Sequence, residues 1–75
     1  MSIDETFISS DEFLSLPESV QVLYFHLATR ADGDYYLSNP LAICRMVEAS
    51  EDDYKTLIEK KIIAEAKDFG ILINK

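Results

Sequence analysis

Few residues in this sequence are of types that do chemistry unaided. There is one histidine, His26, and one cysteine, Cys44. A structural zinc site takes four nitrogen or sulfur ligands, so this pair cannot build one, and a lone cysteine has no internal disulfide partner. His26 lies among the aromatic and aliphatic residues of Leu23-Tyr24-Phe25-His26-Leu27, the setting of a partly buried helix histidine. Cys44 beside Ile43 reads as a small core residue. Asp32-Gly33-Asp34 resembles the start of a calcium loop, but the run of oxygen ligands ending in glutamate is absent, because no Glu recurs before Glu48. Asp68-Phe69-Gly70 matches a kinase tripeptide without the kinase-sized chain that gives it meaning. No nucleophile, base and orienting acid form a catalytic arrangement. The expectation is a chain that is not an enzyme, with no metal, no cofactor and no small-molecule substrate.

Binding is what remains. Arg45, Lys60, Lys61 and Lys67 are the candidate contacts to DNA phosphates, and Lys60 and Lys61 equally suit the dipole at a helix end. Phe7, Tyr35, Tyr36 and Phe69, with Tyr24, are more aromatic surface than a small core hides easily. The first four are the candidate protein interface, since aromatic residues concentrate at the energetic centres of interfaces. Charge limits the DNA reading. Seven basic residues face 14 acidic ones, a formal net charge of −7. Residues 1–37 hold Arg30 against seven acids, net −6, while residues 38–75 hold six basic residues against seven acids, net −1. Any phosphate contact must therefore come from the second half.

The elements that would position these residues are legible from pattern. The 75 residues suffice for one small domain, and 48% hydrophobic content is too apolar for a disordered segment. No apolar run approaches the ~20 residues that span a bilayer, so no membrane partner is expected. The opening Met1-Ser2-Ile3-Asp4-Glu5 is acidic, unlike a signal or transit peptide, and the lone cysteine fits a reducing, cytoplasmic setting. Residues 1–6 read as an arm and Thr6-Phe7-Ile8 as extended. Ser15-Leu16-Pro17-Glu18 reads as a capping box opening a helix that runs to about Ala31, with Val20, Leu23, Leu27 and Ala31 on one face and Gly33 as its breaker. Tyr35-Tyr36-Leu37 is a short strand. Asn39 caps a second helix with Pro40 at its first position and Ile43, Met46 and Val47 inward, ending near Glu48-Ala49. Ser50 caps a third, with Tyr54, Leu57 and Ile58 as its apolar stripe. The period then changes to two, and Ile62–Lys67, a turn at Asp68-Phe69-Gly70, and Ile71-Leu72-Ile73 form a hairpin. The predicted fold is mainly α with a small β-hairpin: a single winged helix-turn-helix domain over 1–75, three helices plus a wing.

In order along the chain stand Phe13-Leu14-Ser15-Leu16-Pro17, Leu23-Tyr24-Phe25-His26-Leu27, Arg30-Ala31-Asp32, Ser38-Asn39-Pro40 and Ala49-Ser50-Glu51-Asp52-Asp53. This series resembles the amino-terminal domain of phage replisome organisers, replication initiators of phages of low-GC Gram-positive bacteria related in layout to DnaD-type primosomal proteins. The resemblance covers roughly residues 7–73. It implies a winged helix tied to DNA binding and oligomer formation at an origin, in the cytoplasm of a bacterial host, with self-association, replication proteins or DNA as partners. In that family a longer carboxy-terminal part usually follows, which these 75 residues do not include. The family often has glycine where this chain has Tyr35 and Glu48, and glycine commonly supplies positive φ in such turns.

The third helix would be the recognition helix of a DNA-binding domain. Its outward positions, Glu51, Asp52, Lys55, Thr56 and Glu59, carry one cation against three acids. The expected role is accordingly a non-enzymatic module of phage replication initiation acting through protein–protein assembly with weak DNA contact. Two alternatives are a duplex DNA-binding winged helix and an acidic phage protein that blocks a host nucleic-acid-binding protein.

Overall fold

The computed structural model describes residues 5–73. Its elements are α1 (Glu5–Ile8), α2 (Asp11–Leu14), α3 (Glu18–Arg30), β1 (Tyr36–Leu37), α4 (Pro40–Met46), α5 (Glu51–Glu59), β2 (Ile63–Glu65) and β3 (Ile71–Ile73), with a 3-10 turn at Lys67–Phe69 between the last two. The chain is mainly helical, with a three-stranded antiparallel sheet in the order β1-β3-β2.

Serine caps set two helix starts. Ser50 Oγ accepts from the Asp53 amide at 3.1 Å, and Glu51, Asp52 and Asp53 place three carboxylates at the positive end of α5. Ser10 Oγ does the same for the Phe13 amide at 3.2 Å and opens α2. At α4, Asn39 is the cap residue and Pro40 the first helical one; the Asn39 side chain makes no capping bond. The expected capping box at Ser15 and Glu18 does not form. Ser15 instead closes α2 in helical conformation, its hydroxyl donating to the Glu12 carbonyl at 2.8 Å, and Pro17 takes the cap position of α3. Gln21 secures this corner, its Nε2 donating to the carbonyls of Leu16 at 2.9 Å and Leu14 at 3.3 Å. The expected arm also needs correction: its residues 1–4 lie outside the described residues, while Thr6-Phe7-Ile8 is helical in α1 rather than extended.

Left-handed backbone in the turns that follow the helices falls on residues other than glycine. After α4, Val47 is the cap, Glu48 has φ 57°, and the amides of Glu48 and Ala49 return to the carbonyls of Arg45 and Cys44. After α5, Lys60 is the cap, Lys61 has φ 61°, and the amides of Lys61 and Ile62 return to Ile58 and Leu57. Both are paired Schellman closures, in which glycine ordinarily takes the left-handed place. Thus the second helix stops at Met46, short of Glu48-Ala49. The first runs to Arg30 with Ala31 as its cap, as expected, but Gly33 is not its left-handed breaker; the positive φ of that turn, 64°, falls on Tyr35.

The core collects Phe13, Leu16, Val20, Leu23, Tyr24, Leu27, Ile43, Leu57, Ile63, Ile71 and their neighbours. The α3 stripe of Val20, Leu23, Leu27 and Ala31 is buried as its spacing requires. Met46 is not inward: it is 67% exposed, because α4 ends there, and Ile43 and Cys44 take the core positions. Ile62 and Ile63 are both buried, since Ile62 belongs to the α5 closure, and β2 then grades from buried Ile63 through half-buried Ala64 to exposed Glu65 without the expected alternation. β3 pairs on both sides, with Leu72 opposite Tyr36 and Ala64, and Ile71 opposite Leu37 and Glu65. Gly70 makes this possible. A Cβ there would stand 2.5 Å from the Tyr36 hydroxyl and 2.7 Å from the Leu37 carbonyl oxygen.

Two substitutions test these constraints. Gly70→Ala must displace backbone and is expected to cost about 2 kcal/mol, the scale of overpacking, read as a lowered urea midpoint. Glu48→Gly relieves a left-handed side-chain residue and is expected to add about 1 kcal/mol, read the same way.

Candidate functional site

The residues expected to touch partners fall at separate places. Phe7 is half-buried, its ring 5.3 Å from Phe13 and 5.4 Å from Tyr24 in an edge-on aromatic cluster that Phe25 extends. Tyr24 is fully buried in that cluster. Tyr35 packs half-buried against the core, held by its carbonyl accepting from the Ile73 amide at 2.8 Å. Tyr36 donates its hydroxyl to the Lys67 carbonyl at 3.1 Å, pinning β1 to the hairpin. Phe69 alone of the four stands clear, 92% exposed at the hairpin tip, with φ 62° beside Asp68 at 55°.

The four cations do not converge on one cleft. Lys67 lies in a cleft of about 610 Å³ with Asp32, Asp34, Tyr36, Ala66 and Leu72, on the outer face of the sheet. Arg45 lies in a smaller one of about 240 Å³ between α4 and α5, with Leu41, Cys44, Glu51 and Tyr54. Lys60 and Lys61 are exposed at the end of α5 and line neither. On the outward face of α5, Glu51, Asp52, Lys55 and Glu59 are exposed, while Thr56 is half-buried with its hydroxyl donating to the Asp52 carbonyl at 2.8 Å.

A third cleft, about 440 Å³, has Glu18 and Val22 of α3 on one side and Val47, Glu48, Ala49 and Asp53 on the other. Little in the residue pattern points to it. Val22 sits one residue off the buried α3 stripe, and Val47, which packs half-buried against the core as expected, lines this groove with its remaining surface.

The residues with chemical potential are used structurally. Asp32 Oδ1 accepts from the amides of Asp34 at 2.8 Å and Tyr36 at 3.1 Å, holding the turn into β1. His26 Nδ1 faces Arg30 at 3.3 Å along α3. No group of His, Cys, Asp or Glu among the described residues is placed to hold a metal ion, and no described helix is long and apolar enough to cross a membrane. No family model matches the sequence, and comparison with curated proteins and with solved structures finds no match either.

Burial pushes the Cys44 thiol up, against a smaller opposing effect of its backbone hydrogen bond. Burial also raises the Tyr54 phenol, with the charges of Cys44 and Glu65 adding to it. Both groups hold their protons more tightly folded than unfolded, so their contribution is intact below the unfolded values and is lost as pH rises through the raised ones. Stability is expected to fall as pH climbs past about 9, and to fall less in Cys44→Ala, measured as urea midpoints at neutral and alkaline pH.

Proposed function

We propose that this chain is a winged helix-turn-helix module that works by protein–protein assembly, in the manner of the amino-terminal domain of phage replisome organisers. Support for the winged reading comes from the order of elements. A long helix, a short strand, two helices joined by a four-residue turn and a two-stranded return close into a sheet ordered β1-β3-β2. Support for the resemblance comes from Tyr35 and Glu48. Both have positive φ at the two places where the family often carries glycine, so the backbone turns here as a glycine-bearing relative would.

The observation that carries assembly over DNA reading is the outward face of α5. Three exposed carboxylates surround Lys55 on the helix that would enter a major groove. Each such carboxylate meets phosphate with like charge, and Arg45, Lys67 and the Lys60-Lys61 pair stand at three separate places, so little counterion release is available to drive binding. Meanwhile Phe69, Met46, Leu41, Val22 and Leu72 leave apolar area on the surface.

Gel-shift titration with duplex and single-stranded DNA tests this. At about 50 mM salt, non-specific binders reach dissociation constants of roughly 10⁻⁴ to 10⁻⁶ M or tighter, and the expected result here is no retardation of either DNA in that range. A salt-sensitive shift that Lys67→Glu or Lys60→Glu weakens would instead make the chain a DNA-binding domain.

A further inference from the structure

We propose that the cleft between α3 and the α4–α5 turn is a docking groove for a basic, amphipathic peptide segment of a partner protein, one that presents aliphatic side chains at helical spacing flanked by lysine or arginine. Two properties of the groove point to that occupant. Its floor is apolar: Val22 is 48% exposed, and Val47 and Ala49 are half-buried beside it. Its rim is anionic, with Glu18, Glu48 and Asp53 and no cation in the lining. The other two clefts differ in this respect, since each pairs its acids with Arg45 or Lys67.

The sign survives the helix dipoles. Glu18 is the first residue of α3 and Asp53 lies in the first turn of α5, so each faces a positive helix end worth about +0.5 charge. Three carboxylates against two such ends leave about −2 on the rim. Because the acids are not gathered closely enough to hold a metal ion, a compact divalent cation does not match them. An occupant must instead bring cations spaced along a chain and apolar side chains between them, which is what one face of a basic amphipathic helix offers. A volume of about 440 Å³ falls within the roughly 300–1,000 Å³ of sites that take a ligand-sized group. This occupant gives the assembly role its partner chemistry and rests on that role.

The test is an amide chemical-shift titration of the whole chain with three synthetic helical peptides. One carries leucines flanked by lysines, the second has glutamate for every lysine, and the third has serine for every leucine. The expected result is that only the first binds, with the largest shifts at Ser19, Val22, Glu48 and Ala49. Glu18→Gln and Glu48→Gln should each weaken it about two- to fivefold. Val22→Asp, at an exposed position that leaves the core intact, should abolish it while the remaining spectrum stays folded. Absence of binding at millimolar peptide, equal binding of the glutamate peptide, or shifts centred on Tyr36, Lys67 and Leu72 would each overturn the groove. So would shifts at the groove on raising protein concentration alone, which would make a second copy its occupant. None of these outcomes depends on DNA, so a failed groove and a failed choice of assembly over DNA binding are told apart.

Discussion

The structure depends on β3 being paired on both sides. Ile71-Leu72-Ile73 lies between β1 and β2, and those strands are separated in sequence by the whole of α4 and α5. Pairing β3 to β1 therefore closes a loop around α4 and α5, which pack against α3. The alternation of β3 then sends Ile71 and Ile73 into the core and leaves Leu72 on the outer face. Gly70 is the condition for this, because the Tyr36 ring and the Leu37 carbonyl occupy the space a side chain would need. Tyr36 completes the join by donating to the Lys67 carbonyl. A residue that reads as a sticky aromatic in sequence is thus the clasp between the first strand and the hairpin.

Much of this was legible. The α3 stripe, the Ser50 cap and the return strand follow from spacing and capping chemistry, and the start of α4 follows from Pro40 at its first position, without a capping bond from Asn39. What was not legible shares a physical origin. Left-handed backbone falls on Tyr35, Glu48, Lys61, Asp68 and Phe69, none of them glycine, while neither described glycine has positive φ. A reader of sequence looks for left-handed turns at glycines, so the role of Gly33 is misplaced, the closure at Glu48 goes unseen, and α4 is carried past its last helical residue, Met46. The competition at Ser15 is of a different kind: a hydroxyl that could cap the next helix instead closes the preceding one.

The candidate surfaces were legible only as composition. Sequence could count exposed cations and aromatics but could not say that Phe7 and Tyr24 share one internal cluster, or that Arg45 and Lys67 sit in different clefts. Nor could it assemble Glu18, Glu48 and Asp53 around Val22, because those residues come from three segments that only the closed fold brings together. The acidity of the chain acquires a location: part faces solvent on α5, and part rims a groove with an apolar floor.

Since β3 joins β1 to β2 across the α4–α5 segment, its pairing is the point to measure. The Ile73 amide bonds the Tyr35 carbonyl and the Ala66 amide bonds the Gly70 carbonyl. By the alternation of antiparallel ladders, Tyr36–Leu72 and Glu65–Ile71 are then close, non-hydrogen-bonded pairs, with Cα atoms about 4.5 Å apart. In a nuclear Overhauser spectrum of the chain in solution, strong Hα–Hα cross peaks are expected for both pairs. A spectrum with the Glu65–Ile71 peak and without Tyr36–Leu72 would describe a bare hairpin, with the α4–α5 segment left unclosed, and would contradict the account.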